Sequence, residues 1–152
     1  MNKPFLATLN NMKKELKRAN AKETYATLTY EKENNQIFLD WNGFLSVELV
    51  KSGSEELLEL IKKTKANKVL VDNRKVTGPW QAANEWYQTD WNPRAAKEGL
   101  TDMAVIMSDN IFTQLSLQGF TKVTQGVYQV GVFNSEPSAR NWLKEQGTSV
   151  AK

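Results

Sequence analysis

Three aspartates lie where a sheet of parallel strands would end, so their carboxylates are the first candidates for chemistry. Asp40 lies near the end of the second strand-like segment, Asp72 ends the third, and Asp109 follows the fourth. Oxygen donors grouped at one edge of a sheet could hold Mg²⁺. Their spacing matches no metal motif, and structural roles explain them as well, such as a helix cap for Asp109 and an ion pair between Asp72 and Arg74. We predict no metal site and no catalytic residue.

The absence of histidine and cysteine further limits the reactions and metal sites that the chain could support. The 152 residues include no histidine and no cysteine. This excludes catalysis by histidine or cysteine, structural zinc, cysteine-ligated iron–sulfur clusters and disulfides. Neither a Walker A sequence nor G-x-G-x-x-G occurs in the chain. We therefore expect a non-enzymatic binding or regulatory module without a cofactor. The alternative is a small enzyme that uses carboxylates, alone or with Mg²⁺.

Aromatic residues near predicted strand ends suggest a ligand pocket. Trp41 lies at the end of the second strand, Trp80 opens the helix after the third, and Arg74 adds a cation between them. Together with Phe112 they would suit a fatty-acid-like or aromatic acid. The predicted ligand site comprises Trp41, Asp72, Arg74, Trp80, Ser108 and Phe112. If these side chains do not enclose a cavity, a protein partner at the same carboxyl-end face is the better interpretation.

Alternating strand and helix patterns define the elements that must position these residues. The predicted strands are 24–31, 36–42, 68–72, 102–107 and 127–133. The predicted helices are 46–64, 79–91, one that begins at residue 108 or 109, and one from 135 onward. This order predicts an α/β fold with a mixed five-stranded sheet, mostly parallel with an antiparallel edge strand and with helices on both faces.

The first 22 residues differ from the rest of the chain. They hold six of the 20 basic residues and only one of the 17 acidic ones. Apolar residues at spacings of three and four predict an amphipathic helix over residues 5–20, formed by Phe5, Leu9, Met12, Leu16 and Ala19. We expect three parts, a basic helix at 1–22, a domain at 23–147 and a polar tail at 148–152. The helix could also join two copies into a homodimer.

Charge and hydropathy exclude other partners. The formal net charge of +3 comes from the amino-terminal segment, because the remaining residues carry 14 basic and 16 acidic groups. A nucleic-acid partner is therefore not expected. No apolar run approaches 18 residues, so we predict no membrane span. The amino terminus has no apolar signal-peptide region, and we expect a cytoplasmic protein.

Short blocks of the sequence, together with the order of elements, resemble a known fold family. The blocks lie at residues 39–43, 68–74, 78–80, 84–86, 103–110 and 133–143. The order resembles the STAS fold of anti-sigma-factor antagonists, and more closely the bacterial SpoIIAA-like group of small STAS/CRAL-TRIO domains. The resemblance covers roughly residues 24–146.

The resemblance implies a binding function and one regulatory residue. The better-known relatives of this family are not enzymes. They bind a protein partner, and phosphorylation of a serine at the start of the helix after the third strand breaks that binding. The family motif there is Asp-Ser-Ser/Thr-Gly, whereas this chain has Lys-Val-Thr-Gly at residues 75–78. Thr77 is the residue that the resemblance implies as a phosphorylation site.

Overall fold

Six strands form one mixed sheet in a computed structural model that describes residues 12–19 and 22–151, with side chains up to residue 146. The strands are β1 (Lys13–Lys17), β2 (Thr24–Glu31), β3 (Gln36–Gly43), β4 (Lys68–Val76), β5 (Asp102–Ile106) and β6 (Gln129–Phe133). They lie side by side in chain order. β1 to β3 are antiparallel, and β3 to β6 run parallel. β4 and β5 are buried interior strands, as the sequence predicts.

Four helical segments connect and cover the strands. They are α1 (Val47–Thr64), α2 (residues 81–97), α3 (Ile111–Val123) and α4 (Glu136–Ala151). α1 begins at Ser46, whose hydroxyl accepts a hydrogen bond from the Leu49 amide, as expected of an N-cap. α3 begins after Asn110, whose side chain accepts from the Thr113 amide, so the predicted cap at residue 108 or 109 is wrong. No helix in the described part is long and apolar enough to cross a membrane.

The helices are unequally divided between the two faces of the sheet. Each crossover from β3 to β6 steps to the next strand in the same direction, so right-handed connections place α1, α2 and α3 on one face. Val69, Val71, Met103 and Val105 point into that core. The alternate residues of β4 and β5 pack against α4 on the opposite face, in a smaller cluster of Leu70, Ala104, Ile106, Ala139 and Leu143. We call these the aromatic face and the α4 face.

β1 corrects the predicted amino-terminal helix. Residues 13–17 form an edge strand paired with β2, while the apolar positions Phe5 and Leu9 of the predicted helix lie outside the described residues. Leu16 is buried and Met12 packs against the same core, because alternate residues of a strand share a face. Met12 and Leu16 are four residues apart, a spacing that fits both the helical period of 3.6 and the strand period of 2. Pairing with β2 selects the strand. The sheet therefore has six strands, and β1 rather than residues 24–31 is the antiparallel edge.

The carboxyl-terminal boundary also differs from the prediction. Residues 148–151, expected as a polar tail, continue the backbone of α4 to Ala151.

Candidate functional site

A small cavity lies on the aromatic face beneath α1, α2 and α3. Its lining includes Trp41 from β3, Trp80 before α2, and Tyr87 and Trp91 from α2. Residues 87–91 form a π-helical turn, which directs both buried aromatic side chains of this segment toward the sheet. Gly53 of α1 leaves room for the Trp41 indole, since a Cβ at that position would lie 2.5 Å from the ring. Glycine at position 53 thus belongs to the packing of this cavity.

Polar groups inside the cavity wall are mostly paired with one another. The hydroxyls of Ser54 and Tyr87 are 2.6 Å apart, and the Trp91 indole N–H donates to the Ser54 carbonyl at 2.8 Å. Burial raises the pKa of Tyr87 well above its usual range, and the hydrogen bond with Ser54 only partly offsets this. Tyr87 therefore stays neutral. Asn73 lines the cavity and is 3% exposed, and no side-chain hydrogen bond joins it to another described residue.

The cavity is too small for the ligand that the sequence suggests. Its volume is about 40 Å³, which is room for a few water molecules. The structure brings Trp41 and Trp80 together here as expected. It places Arg74 and Asp72 on the other face of the sheet, and Phe112 is exposed. A fatty-acid-like molecule held jointly by Trp41, Trp80, Arg74 and Phe112 does not fit this arrangement.

A bulge in β4 follows Asp72, and Arg74 lies on the same face of the sheet as Asp72. Between the paired positions Asp40↔Asp72 and Asn42↔Lys75, two residues of β4 oppose one residue of β3. The guanidinium of Arg74 donates to both carboxylate oxygens of Asp72, with the shortest contact at 2.7 Å. Burial alone would raise the pKa of Asp72, but hydrogen bonds from the Arg74 side chain and amide outweigh it, and the pKa lies below its usual value. Arg74 thus forms an ion pair with Asp72, while 48% of its side-chain surface stays exposed.

This ion pair continues into a chain of charges beneath α4. Arg74 contacts Glu136 at 3.3 Å, and Glu136 accepts from Arg140 at 2.8 Å. Arg140 also binds Glu31 of β2 through two hydrogen bonds of 2.9 and 3.0 Å. Desolvation opposes ionisation of Glu31, but the bonds from Arg140 prevail and lower its pKa. The guanidinium of Arg140 also lies 5.5 Å from the centre of the Phe38 ring. The chain of charges therefore fastens α4 to the sheet.

The three candidate carboxylates do not assemble into a metal site. Asp40 and Asp72 are neighbours across β3 and β4, but Asp40 is bound by Lys75 at 3.0 Å and Asp72 by Arg74. Asp109 is exposed in the loop before α3. Among the described residues, no group of three acidic side chains could hold a metal ion. Each strand-end carboxylate of β3 and β4 is neutralised by a cation from β4.

Large apolar side chains are exposed where the parallel strands end. Phe44, which follows β3, is 56% exposed, as are Ile111 and Phe112 at the start of α3, and Leu115 is 46% exposed. The loop after β4 joins these elements, because Gly78 lies against the Phe44 ring and its carbonyl accepts from Thr113 at 2.9 Å. We define the carboxyl-end surface as the four exposed side chains Phe44, Ile111, Phe112 and Leu115.

A polar crevice adjoins this surface. It has a volume of about 550 Å³ and lies between the ends of β4, β5 and β6. Its lining includes Arg74, Thr77, Ser108, Asp109, Asn110 and Asn134. Ser108 is buried and accepts from the Asn110 amide at 2.9 Å, which fixes the loop before α3. Thr77 is exposed here, and its amide donates to the Gly43 carbonyl. The sequence-predicted residues Arg74, Thr77 and Ser108 thus share this crevice.

The predicted ligand residues therefore divide among four places, and sequence reasoning missed several neighbours. Trp41 and Trp80 line the cavity, Asp72 lies under α4, Arg74 and Ser108 line the crevice, and Phe112 belongs to the carboxyl-end surface. The alternation of β4 could have shown the split, since residues 71 and 73 face away from residues 70 and 72. The cavity residues that were missed are Asn73, Ser54, Tyr87 and Trp91, and the surface residue is Phe44.

Among the comparisons with known proteins, only the one with solved structures gives a match. No family model matches the chain, and no curated protein matches it. Among solved structures, the chain is similar to an uncharacterised protein of the DUF3478 family with a SpoIIAA-like fold from Shewanella loihica PV-4. The sequence identity is 15%, the match covers 88% of this chain and 94% of that chain, and the TM-score is 0.49. The SpoIIAA-like fold of that protein is the fold that the sequence of this chain resembles.

Proposed function

We propose that this protein is a non-enzymatic binding module that recognises a protein partner through the carboxyl-end surface. One observation carries the proposal. Phe44, Ile111, Phe112 and Leu115 expose about half of their surface at one end of the sheet. Aromatic and aliphatic side chains grouped in this way are typical of the apolar centre of an interface. The partner would present a segment with aromatic or aliphatic side chains of its own.

A rigid frame supports the exposed side chains. Trp80 donates its amide proton to the Ser116 hydroxyl at 2.8 Å, which joins the loop after β4 to α3. The guanidinium of Arg18 donates to the Phe44 carbonyl at 3.0 Å, so the loop after β3 is also held. Binding therefore costs little ordering of the backbone, which favours affinity for a given contact area.

The adjoining crevice supplies the polar border of such an interface. Asp109, Asn110 and Asn134 offer hydrogen-bonding groups beside the apolar centre. Thr77 lies in the same crevice, and its phosphorylation stays a prediction. A phosphate there would add negative charge to a crevice that also holds Arg74 and Asp109, and so would change the polar border that a bound partner meets.

The alternatives have less support from the geometry. A carboxylate-based enzyme would need free acidic groups, whereas Asp40 and Asp72 are each bound by a neighbouring cation. A ligand in the aromatic cavity would have to fit a volume of about 40 Å³. The carboxyl-end surface combines open access with large exposed apolar side chains.

Peptides selected from a random display library give a defined probe for this surface. Selection against the full chain should yield peptides rich in aromatic and aliphatic residues. The double variant Phe44→Ser/Phe112→Ser should bind them at least about tenfold more weakly, because each lost aromatic anchor removes apolar contact worth about 1 kcal/mol or more. Titration calorimetry measures the affinities, and thermal unfolding should show little change because both side chains are exposed.

A matched control is available at the opposite end of the sheet. Val127 is also exposed, but it precedes β6 and so lies at the amino ends of the strands. Val127→Ser should leave the affinity of the same peptides unchanged. Equal binding to the wild type and to the double variant would contradict the proposal, as would peptides that lose affinity only with Val127→Ser.

A further inference from the structure

The outer edge of β6 carries backbone groups without partners in the described sheet. β6 is the last strand and pairs on one side only, with β5. The Gln129 amide donates to Thr101, and the Phe133 carbonyl accepts from Met107, both on the β5 side. Because successive residues of a strand point their backbone groups to opposite sides, the amides and carbonyls of Val130 and Val132 face outward. These four groups form an open template for another strand.

The two edges of the sheet differ in charge. β1, at the other edge, has the sequence Lys-Lys-Glu-Leu-Lys and a register shift between Leu16 and Lys17. Lysine and irregular pairing are the features by which edge strands resist association. β6 has the sequence Gln-Val-Gly-Val-Phe, and residues 127–135 contain no charged side chain. Val132 is also 41% exposed. The β6 edge is open where the β1 edge is protected.

We propose that β6 pairs antiparallel with β6 of a second copy of this chain, with a two-fold axis at Gly131. In this register Val130 lies opposite Val132 of the second copy, and each such pair exchanges two backbone hydrogen bonds. The four outward groups of each chain would then all have partners. Gln129 lies opposite Phe133, so no charge is opposed by a like charge.

At β1, one register of the same two-fold operation would be unfavourable. An antiparallel pair centred on Glu15 would place Lys13 opposite Lys17 of the second copy and Glu15 opposite Glu15. Like charges in directly opposed positions are destabilising. No register of β6 opposes like charges, because the strand has none, whereas the lysines and the register shift of β1 disfavour pairing there. The contact between two five-residue strands is small, so the dimer is expected to be weak and dependent on concentration.

Sedimentation velocity of the full chain from about 10 µM to about 1 mM tests the proposal, since weak interfaces dissociate in this range. The wild type should shift from monomer to dimer. Val132→Pro removes an outward amide that β5 does not use, and an edge strand tolerates proline there. Symmetry doubles the loss to two hydrogen bonds, so the dissociation constant should rise about tenfold. Val132→Lys places a charge at the same edge and should have a similar effect.

Val132→Thr is the matched control, because it keeps the amide and the branched shape and should dimerise like the wild type. If Val132→Pro fails to fold, Val132→Lys decides, since the side chain is exposed. Hydrogen exchange at Val130 and Val132 should also slow as concentration rises. A wild type that stays monomeric at about 1 mM would overturn the proposal. So would a dimer that persists in Val132→Lys, or one whose Val130 and Val132 amides exchange at the monomer's rate.

Discussion

The two faces of the sheet are held together by different interactions. On the aromatic face, three helical segments bury a large core in which polar groups such as Ser54, Tyr87 and Trp91 pair while neutral. On the α4 face, one helix covers a small apolar cluster and is fastened by charged groups, chiefly Arg140 and Glu136. Apolar burial scales with area, whereas ion pairs depend on pH and salt. The aromatic face should therefore contribute most of the free energy of unfolding. The α4 face should determine how that free energy depends on pH and salt.

Trp91→Ala should have the largest effect, because it removes the largest fully buried side chain of the aromatic face. We expect a loss of about 3–5 kcal/mol in the free energy of unfolding, measured by urea denaturation. Trp86, which is half-buried on the same helix, provides the control. Trp86→Ala should cost clearly less. Equal losses would mean that the cavity region contributes no more than the helix surface.

Arg140→Met should have an intermediate effect on the α4 face. The substitution keeps much of the apolar stem over Phe38 but removes the bonds to Glu31 and Glu136. We expect a loss of about 1–2 kcal/mol, because the paired groups are only partly exposed and form a network. Arg94→Met is the control, since Arg94 binds Glu55 in a similar way but among more exposed groups. If both variants lose the same free energy, the α4 face is no more dependent on its charges than the surface is.

The smallest expected effect is a loss of unfolding free energy at low pH, caused by the carboxylates of the α4 face. The pKa values of Asp72 and Glu31 lie below their ordinary values, so their contribution is complete above about pH 4.5, where the carboxyls of the unfolded chain are also ionised. That contribution is lost as pH falls through the lower pKa values of the folded state. Urea unfolding between about pH 6 and about pH 2.5 should show this decline. Asp72→Asn should decline less steeply, and an identical slope would contradict the assigned role of Asp72.

The sequence predicted the elements of the fold better than their edges. Strands and helices with one dominant period, such as residues 68–72 and α1, have no competing interpretation. Residues 13–17 fit both a helix and a strand, and only pairing with β2 decides between them. The turn before β3, in contrast, is predictable from its residue type, since Asn35 adopts the positive φ that asparagine favours.

The candidate site was harder to predict because it depends on which face a side chain meets. Trp41 and Trp80 do share a cavity, but Arg74 follows Asp72 by two residues and so lies with it on the other face of the sheet. The bulge that follows Asp72 is a further departure from alternation, which no residue type marks. The sequence predicts Phe112 as a pocket wall, yet the face of α3 that packs inward carries Thr113 and Leu117 instead. Exposure of an aromatic residue follows from how its helix is rotated, which periodicity over one short helix defines poorly.

The central claim is that partner recognition takes place at the carboxyl-end surface, and a chemical-shift map tests it most directly. A display-selected peptide titrated into the ¹⁵N-labelled chain should move the amide signals of Phe44, Thr77, Gly78 and residues 111–115 most. These lie at one end of the sheet, whereas α4 and Val127 should change little. Largest shifts along α4, or at the amino ends of the strands around Val127, would contradict the account.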